Sequence, residues 1–269
     1  MAAATMALEK GAEVLQPSSE DEAILAFGDG AGVTVLAGGT IVVPDMTYGY
    51  LKPQRVLMLA GAGLAGISRD GSRTTIGAMT PVQELVDLPS PIGRCAANVA
   101  DVEVRSQGTI GGNLCAGQAR EAPRGDLQAA LIAVGATVRS AGAGGEKTEA
   151  VEEFLSGREG RLVLDVSYEE PAAGGFAALD RTHTHDYTAL AVAAAQAADG
   201  SIRLAATGVA GPAARLPAAE AKADDPDAAA EAALGDVTFA DDALASAWYR
   251  ERTLPVLVRR TLSQLQEAR

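Results

Sequence analysis

The sequence predicts an α+β fold in two parts that divide near residue 171. Short apolar strands alternate with helices, but without the regular βαβ period of a doubly wound sheet. No repeat of fixed period runs through the 269 residues. At 169–175 an acidic pair, a proline and a glycine pair interrupt the pattern, which indicates a linker or a wide turn. We therefore expect one domain over 1–170 and a second over 171–269.

The first part begins with a predicted strand at 13–15 and a helix over 20–27 that Ser18-Ser19 caps. Apolar, β-branched runs predict further strands, and other segments predict helices. The strands are expected at 33–37, 56–59, 74–78, 176–179 and 202–206, and the helices at 92–99, 187–198, 218–234 and near the C-terminus. Pro255 is expected to break or kink the last helix, and Trp248 and Tyr249 to pack it onto the sheet.

Composition excludes several classes of partner. The chain is 48% hydrophobic and 21% charged, which suits a globular protein with a substantial core. Its formal net charge is −13, and no basic stripe offsets it, so we expect no nucleic acid partner and no anionic membrane surface. An anionic cofactor is still compatible, because backbone N–H groups can hold phosphates without net positive charge.

The two cysteines, Cys95 and Cys115, are too few for a four-thiolate iron–sulfur site or a zinc site. A disulfide is possible, but two reduced thiols are the simpler interpretation. The first ten residues resemble no signal peptide, and no run of about eighteen apolar residues predicts a membrane span. We expect a cytoplasmic protein.

One motif looks like a nucleotide-binding turn, but the residues that follow it do not fit one. The segment 61–66 reads Gly-Ala-Gly-Leu-Ala-Gly and follows a predicted strand, as a dinucleotide-binding turn does. Such a turn needs a helix that opens at the last glycine, whereas residues 67–72 have turn chemistry and lead directly into another strand. The segment is therefore interpreted as a connector between strands.

Two other loops combine glycine pairs with polar side chains. The first, Ala37-Gly38-Gly39-Thr40-Ile41, follows a buried strand. The second is Gly108-Thr109-Ile110-Gly111-Gly112-Asn113-Leu114. Glycine lets backbone approach a ligand closely and aim N–H groups at an anion. One such loop is more often only a turn, but two of matched type predict a clasp around a pyrophosphate from two sides.

These loops, with other blocks, resemble the FAD-binding medium subunit of the xanthine dehydrogenase and carbon monoxide dehydrogenase family of molybdenum hydroxylases. The resemblance covers nearly the whole chain, and the second loop is its most specific block. The further blocks are 55–59 with Leu64, Gly66 and Ile67, 75–80 with Glu84 and Leu85, Val104-Arg105, 126–136, Asp186-Tyr187, Gly208-Val209 and 249–260.

The resemblance implies a PCMH-type FAD-binding domain of two α+β subdomains, followed by a small antiparallel sheet with helices. It implies a set of residues that contact FAD, and it places Asp126 near the adenosine ribose. The alternative is that Asp126 is a helix N-cap, and both interpretations stay open. The implied contact residues are Ala37, Gly38, Gly39, Thr40, Ile41, Thr109, Ile110, Gly111, Gly112, Asn113 and Asp126.

Three departures from the family pattern stand out. Ile41 occupies a position that is more often polar in relatives. Asp180 falls where the family often carries a lysine after Phe176 in the strand that opens the C-terminal domain. The loop from Cys115 to Gly125 is longer than in xanthine dehydrogenases. These departures put in doubt one side-chain contact, a cation for the reduced flavin, and the shape of the flavin edge.

The only histidines, His183 and His185, lie in His183-Thr184-His185-Asp186. A metal site is conceivable, but a solvent-facing turn is the better interpretation, because two histidines alone do not complete a coordination sphere. No Ser/His/Asp or Cys/His constellation is visible, so no catalytic residue and no metal ligand is assigned to this chain.

The resemblance also implies a function. The chain is expected to carry FAD and pass electrons from [2Fe–2S] clusters of a small partner subunit to an external acceptor. A large partner subunit with the molybdopterin cofactor oxidises the substrate, and the complex is expected to be a dimer of heterotrimers. The substrate class stays open between carbon monoxide, a purine, an aldehyde and an N-heterocycle. Two alternatives are a flavin-free scaffold subunit and a stand-alone flavin oxidoreductase.

Overall fold

The structure, a computed structural model, describes residues 12–116, 125–179, 183 and 187–267. Its first layer is a parallel sheet of three strands in the order β1-β3-β2. The strands are β1 (Glu13–Leu15), β2 (Val33–Leu36) and β3 (Arg55–Met58). Helices α1 (Glu20–Phe27) and α2 (Val42–Thr47) connect them, so this part forms a small local βαβαβ unit.

Helix α1 begins and ends where its sequence predicts. Ser19 is the N-cap, and its side chain accepts a hydrogen bond from Glu22 N–H. Three acidic residues occupy the first turn, where the helix dipole favours negative charge. Gly28 ends the helix with a positive φ of 61°, a conformation that glycine adopts without steric cost.

The second layer is an antiparallel sheet of five strands in the order β4-β5-β8-β6-β7. Its strands are β4 (Ile67–Asp70), β5 (Arg73–Gly77), β6 (Thr137–Gly142), β7 (Gly145–Ala150) and β8 (Arg161–Glu169). The hairpin β4-β5 follows Gly66, so no helix opens there and the connector interpretation of 61–66 is confirmed.

Five helices accompany this sheet: α3 (Ile92–Ala97), α4 (Val102–Gln107), α5 (Ile110–Cys115), α6 (Gln128–Ala133) and α7 (Val151–Gly157). Helix α6 is buried along its whole length and is part of the largest hydrophobic cluster. That cluster also contains Val138 and Phe154, so it joins the sheet to the helices that cover it.

The third layer is an antiparallel sheet of four strands in the order β12-β11-β10-β9, covered by three helices. The strands are β9 (Ala173–Ala178), β10 (Ala191–Gln196), β11 (Ile202–Thr207) and β12 (Ala214–Arg215). The helices are α8 (Pro217–Glu220), α9 (Pro226–Ala232) and α10 (Ala247–Glu267). The three layers together form the predicted α+β fold, while the boundary near 171 stays a prediction.

The helix predicted over 187–198 is wrong, because the structure places strand β10 there. Alternate residues of β10 join different clusters: Ala191, Ala193 and Ala195 join the cluster of α6, and Val192 and Ala194 join the cluster of α10. Both faces of the strand are therefore buried, and small side chains allow two layers to pack on it. Tertiary packing here overrides the helix propensity of alanine.

The linker predicted at Gly174-Gly175 is also wrong, because both glycines lie inside β9. A Cβ atom on Gly174 would lie 1.9 Å from the carbonyl oxygen of Ser90, and one on Gly175 would lie 2.4 Å from that of Thr261. These glycines thus let the strand lie directly against backbone on two sides.

The last helix differs from expectation in two ways. It does not break at Pro255 but continues from Ala247 to Glu267, because its apolar stripe, with Leu254, Leu257 and Val258 buried, packs against the sheet. A kink at Pro255 stays a prediction. Trp248 and Tyr249 do not pack onto the sheet but are 62% and 44% exposed. The predicted helix over 218–234 is divided into α8 and α9. In the described part of the chain, no helix combines the length and apolar character that a bilayer crossing requires.

Arg250 is the residue of α10 that organises the neighbouring loops. It is 1% exposed, and its guanidinium donates to the carbonyls of Ala189, Ala240 and Ala245 and to both carboxylate oxygens of Asp242. Burial raises the pKa of Asp242, but hydrogen bonds from Arg250 and from loop amides outweigh it, so the pKa is lowered.

Replacing Arg250 with Met is expected to lower the free energy of unfolding by about 3–5 kcal/mol, because it leaves a carboxylate and three carbonyls without their donor. The control is Arg259→Met on the same helix, whose exposed pair with Asp227 is worth at most about 1 kcal/mol. Because the folded pKa of Asp242 is lowered, its stabilisation is present above pH 3.8 and is lost as the pH falls through the folded value. Denaturant titration measures the free energy of unfolding of both variants. Equal losses in the Arg250 and Arg259 variants would contradict the role given to Arg250.

Candidate functional site

A cavity of about 600 Å³ lies among the ends of elements from the first two layers. The loop after β2, the start of β8 and helices α4 and α5 each contribute to its wall. Much of the remaining wall is apolar and includes Leu59, Met79, Val82 and Val99. Its size falls in the usual range for a cofactor or small-molecule site.

Ten of the eleven residues predicted from the sequence line this cavity. They are Ala37, Gly38, Gly39, Thr40, Ile41, Thr109, Gly111, Gly112, Asn113 and Asp126. Ile110 does not line it, because its side chain is fully buried in the core of the second layer. The structure thus brings together two loops that are about seventy residues apart in sequence, and their contact with FAD stays a prediction.

The first loop presents unengaged backbone donors. Within the described part of the chain, the N–H groups of Gly38, Gly39, Thr40 and Ile41 donate to no protein acceptor. Gly39 has a φ of +77°, and its carbonyl accepts from Val43 N–H at 2.9 Å, which turns the chain into α2. Four consecutive donors beside one cavity are the arrangement that binds an oxyanion such as a phosphate.

The second loop is different, because it is the first turn of helix α5 and its amides are engaged. Ile110 N–H donates to the Thr80 carbonyl at 3.0 Å, and Gly111 N–H donates to the Ala78 carbonyl at 2.9 Å. Thr109 is the N-cap, and its Oγ1 accepts from Gly112 N–H at 3.2 Å. The two loops therefore differ in the backbone donors that they offer, while the predicted clasp around a pyrophosphate stays a prediction.

The glycines of the second loop instead determine how closely helix α5 approaches its neighbours. A Cβ atom on Gly111 would lie 2.9 Å from the Ala78 Cβ, so this glycine lets α5 touch the end of β5. A Cβ atom on Gly112 would lie 3.1 Å from Thr109 Oγ1 and 3.9 Å from the Ala37 Cβ. Gly112 therefore keeps open the space between the two loops.

Asn113 and Asp126 form the next part of the wall. Asn113 Oδ1 accepts from Leu127 N–H at 2.9 Å, and its Nδ2 donates to Asp126 Oδ2 at 3.4 Å. Asp126 is 9% exposed, and the N-cap of α6 is Leu127, without a side-chain cap. The helix-cap alternative for Asp126 is therefore wrong, while its role near a ribose stays a prediction.

Charged residues at the start of β8 also lie at the site, and the sequence did not predict them there. Arg158, Glu159 and Arg161 line the cavity, as does Tyr187. In the sequence, 158–161 looks like an ordinary polar surface turn, so no local signal points to the site. Only the pairing of β8 between β5 and β6 brings this turn to the cavity.

Cys115 also lines the cavity, at the end of α5. Cys115 is exposed, but desolvation raises the pKa of its thiol to about 11 despite the opposing charge of Arg158. The thiol is therefore protonated at neutral pH and is not an activated nucleophile. Cys95 and Cys115 are both free, as expected.

Some sequence predictions fall on residues that the structure does not describe. The loop at 117–124, Asp180, His185 and Asp186 lie outside the described residues. His183 is exposed. Among the described residues, no three His, Cys, Asp or Glu side chains gather as a set of metal ligands.

The cavity fits a dinucleotide cofactor. The four donors of the first loop suit a pyrophosphate, and the apolar wall suits planar rings. Asp126 lies in the wall as a possible acceptor for hydroxyl groups. Cys115 is the last residue of α5 and Thr109 caps its first, so the helix lies along the cavity from the glycine loops to Arg158.

Replacing Thr109 with Ala is expected to destabilise the chain by about 1 kcal/mol, because the first turn of α5 loses its side-chain cap. Thr109→Ser keeps the hydroxyl and should retain most of the stability. Denaturant titration of the flavin-free chain measures both. If the two variants were equally stable, Thr109 Oγ1 would not be the acceptor that holds this turn.

Known proteins are similar to this chain in fold and in sequence. The carbon monoxide dehydrogenase medium chain of Hydrogenophaga pseudoflava is 28% identical, over 92% of this chain and 94% of its own. The nicotine 6-hydroxylase medium subunit of Paenarthrobacter nicotinovorans is 24% identical, over 91% and 94%. A chain in the solved structure of carbon monoxide dehydrogenase from H. pseudoflava matches with a TM-score of 0.84 and 30% identity, over 96% and 98%.

A solved carbon monoxide dehydrogenase from Oligotropha carboxidovorans matches with a TM-score of 0.85 and 25% identity, over 97% and 99%. The family model described as the FAD binding domain in molybdopterin dehydrogenase matches residues 9–167, more than half of the chain. That range contains both glycine loops and every other predicted contact residue. The chain belongs to the family of FAD-binding domains of molybdopterin dehydrogenases.

Proposed function

We propose that this chain is the electron-transfer subunit of a molybdenum hydroxylase complex. It binds FAD, receives electrons from [2Fe–2S] clusters of a small partner subunit, and delivers them to an external acceptor. A large partner subunit holds the molybdopterin cofactor and oxidises the substrate. The subunits assemble as a dimer of heterotrimers in the cytoplasm, where the two free cysteines suit a reducing environment.

The observation that carries this proposal is the first loop, with four N–H groups that no described residue accepts from, beside a cavity of cofactor size. The relatives support the assembly, because two of them are described as a medium chain and a medium subunit. With two cysteines, this chain cannot supply the four thiolates of a [2Fe–2S] cluster, so the clusters belong to another chain.

In this function the chain's own residues bind the FAD and orient it. The first loop holds the pyrophosphate through its amides, and Thr109, Gly112 and Asn113 shape the opposite wall. The apolar residues Leu59, Met79 and Val99 exclude water from the rings. Bound FAD supplies the ability to accept and release electrons singly or in pairs. We assign FAD binding to residues 1–170 and a second domain to 171–269.

Purification of the chain from its native host tests the assembly. An affinity tag on this chain is expected to recover two further polypeptides, with molybdenum and iron in fixed ratio to flavin. Dithionite should bleach the flavin bands of the visible spectrum. Recovery of the chain with flavin but without molybdenum or iron would contradict the complex, and a colourless chain that takes up no FAD would contradict the cofactor.

Replacing Gly112 with Val is expected to abolish FAD binding while leaving the fold and the partner chains in place. A Cβ atom at this position would lie 3.1 Å from Thr109 Oγ1 and 3.9 Å from the Ala37 Cβ, so the branched side chain of valine would occupy the space between the two loops. The control is Gly235→Val, since Gly235 has open space around it and lies outside the cavity. Flavin content per chain in the purified complexes measures both, and a normal content in the Gly112 variant would rule out the role given to this loop.

A further inference from the structure

One nitrogen of a positively charged side chain in the cavity wall has no hydrogen-bond partner among the residues that the structure describes. The Nη1 atom of Arg158 is buried and, within the described part of the chain, makes no hydrogen bond. Two other buried side-chain atoms, Ser90 Oγ and Glu152 Oε2, share this property, but neither residue lines the cavity. Arg158 is therefore the unsatisfied buried group that faces the cofactor site.

Arg161 lines the same cavity, but its guanidinium donates hydrogen bonds to the protein and so has a structural role. Its Nε donates to Ser140 Oγ, its Nη1 to the Gly145 carbonyl and its Nη2 to the Ser140 carbonyl. All three nitrogens thus hold the strands β6 and β7 in place. The two arginines line one cavity, yet among the described residues only Arg161 finds hydrogen-bond acceptors.

A buried guanidinium nitrogen without an acceptor is costly, because it has lost its water and gained nothing in return. A ligand that brings an anionic oxygen removes this cost at the moment of binding. Guanidinium is also the side-chain group best matched to planar or tetrahedral oxyanions, since it presents donors in a fixed fork. The free Nη1 atom therefore favours a negatively charged ligand over a neutral one.

The position of Arg158 separates it from the glycine loops. Its charge acts on the thiol of Cys115, the last residue of α5, whereas the loops meet at the first turn of that helix. A helix of six residues is about 9 Å long. Arg158 thus adds a cation near the end of α5 that is opposite the turn capped by Thr109.

We propose that Arg158 binds a negatively charged group of the FAD molecule and is a second anion-binding element of this site. The proposal rests on the proposed function, since it requires FAD in this cavity. Two parts of FAD carry such a charge. The pyrophosphate is anionic whether the flavin is oxidised or reduced, while the isoalloxazine ring becomes anionic only on reduction.

The test uses the full chain freed of flavin, with the variants Arg158→Gln, Arg158→Lys and Arg161→Gln. Arg94→Gln is the matched control, because Arg94 is exposed on α3 and lies outside the cavity. Dissociation constants are measured for oxidised FAD and, under anaerobic conditions, for dithionite-reduced FAD. The melting temperature is measured without FAD.

Arg158→Gln is expected to weaken binding about 10- to 100-fold, the value of a hydrogen bond to a charged group. Weaker binding of both redox forms identifies the pyrophosphate as the partner, and weaker binding of the reduced form alone identifies the ring. Arg158→Lys should recover part of the affinity. The melting temperature without FAD should stay the same or rise for Arg158→Gln, and fall for Arg161→Gln.

Binding within twofold of wild type for both redox forms would overturn the proposal, as would a fall in melting temperature equal to that of Arg161→Gln. Both outcomes are distinct from failure of the proposed function, in which the unmodified chain itself would bind no FAD. Arg94→Gln should match the unmodified chain in affinity and in melting temperature.

Discussion

The close approach of two backbone segments is the constraint on which the site depends. A Cβ atom on Gly38 would lie 1.9 Å from the carbonyl oxygen of Gln107, so only glycine lets the first loop reach the turn between α4 and α5. On the other side of that turn, Gly111 brings α5 against Ala78. These glycines bring the first layer against the second beside the cavity, in addition to the hydrophobic cluster that the two layers share.

The two loops look alike in sequence but contribute to binding in different ways. The amides of α5 are committed to carbonyls of the segment after β5 and to the Thr109 hydroxyl, so they fix the helix in place. Those of the first loop have no such commitment in the described chain and are available to a ligand. The fixed helix gives the wall its shape, and the uncommitted loop gives it donors. Arg158 adds a positive charge to the same wall.

The sequence predicted features that depend on local chemistry. The capped helix α1 and the glycine pairs of both loops are examples, because capping and positive φ are decided by a few neighbouring residues. Features decided by tertiary packing were missed. The strand β10 and the buried glycines of β9 have the composition of a helix and of a linker, and only the layers on both sides explain them. Arg158 belongs to the same class, since the pairing of β8 brings it to the cavity.

Amide hydrogen exchange of the flavin-free chain, with and without added FAD, tests the division between the loops most directly. FAD is expected to slow exchange at Gly38, Gly39, Thr40 and Ile41 by about tenfold or more, since these donors have no acceptor in the described part of the chain and gain one from the ligand. Exchange at Ile110, Gly111 and Gly112 should already be slow without FAD. Unchanged exchange in the first loop, with protection appearing only in the second, would contradict the account.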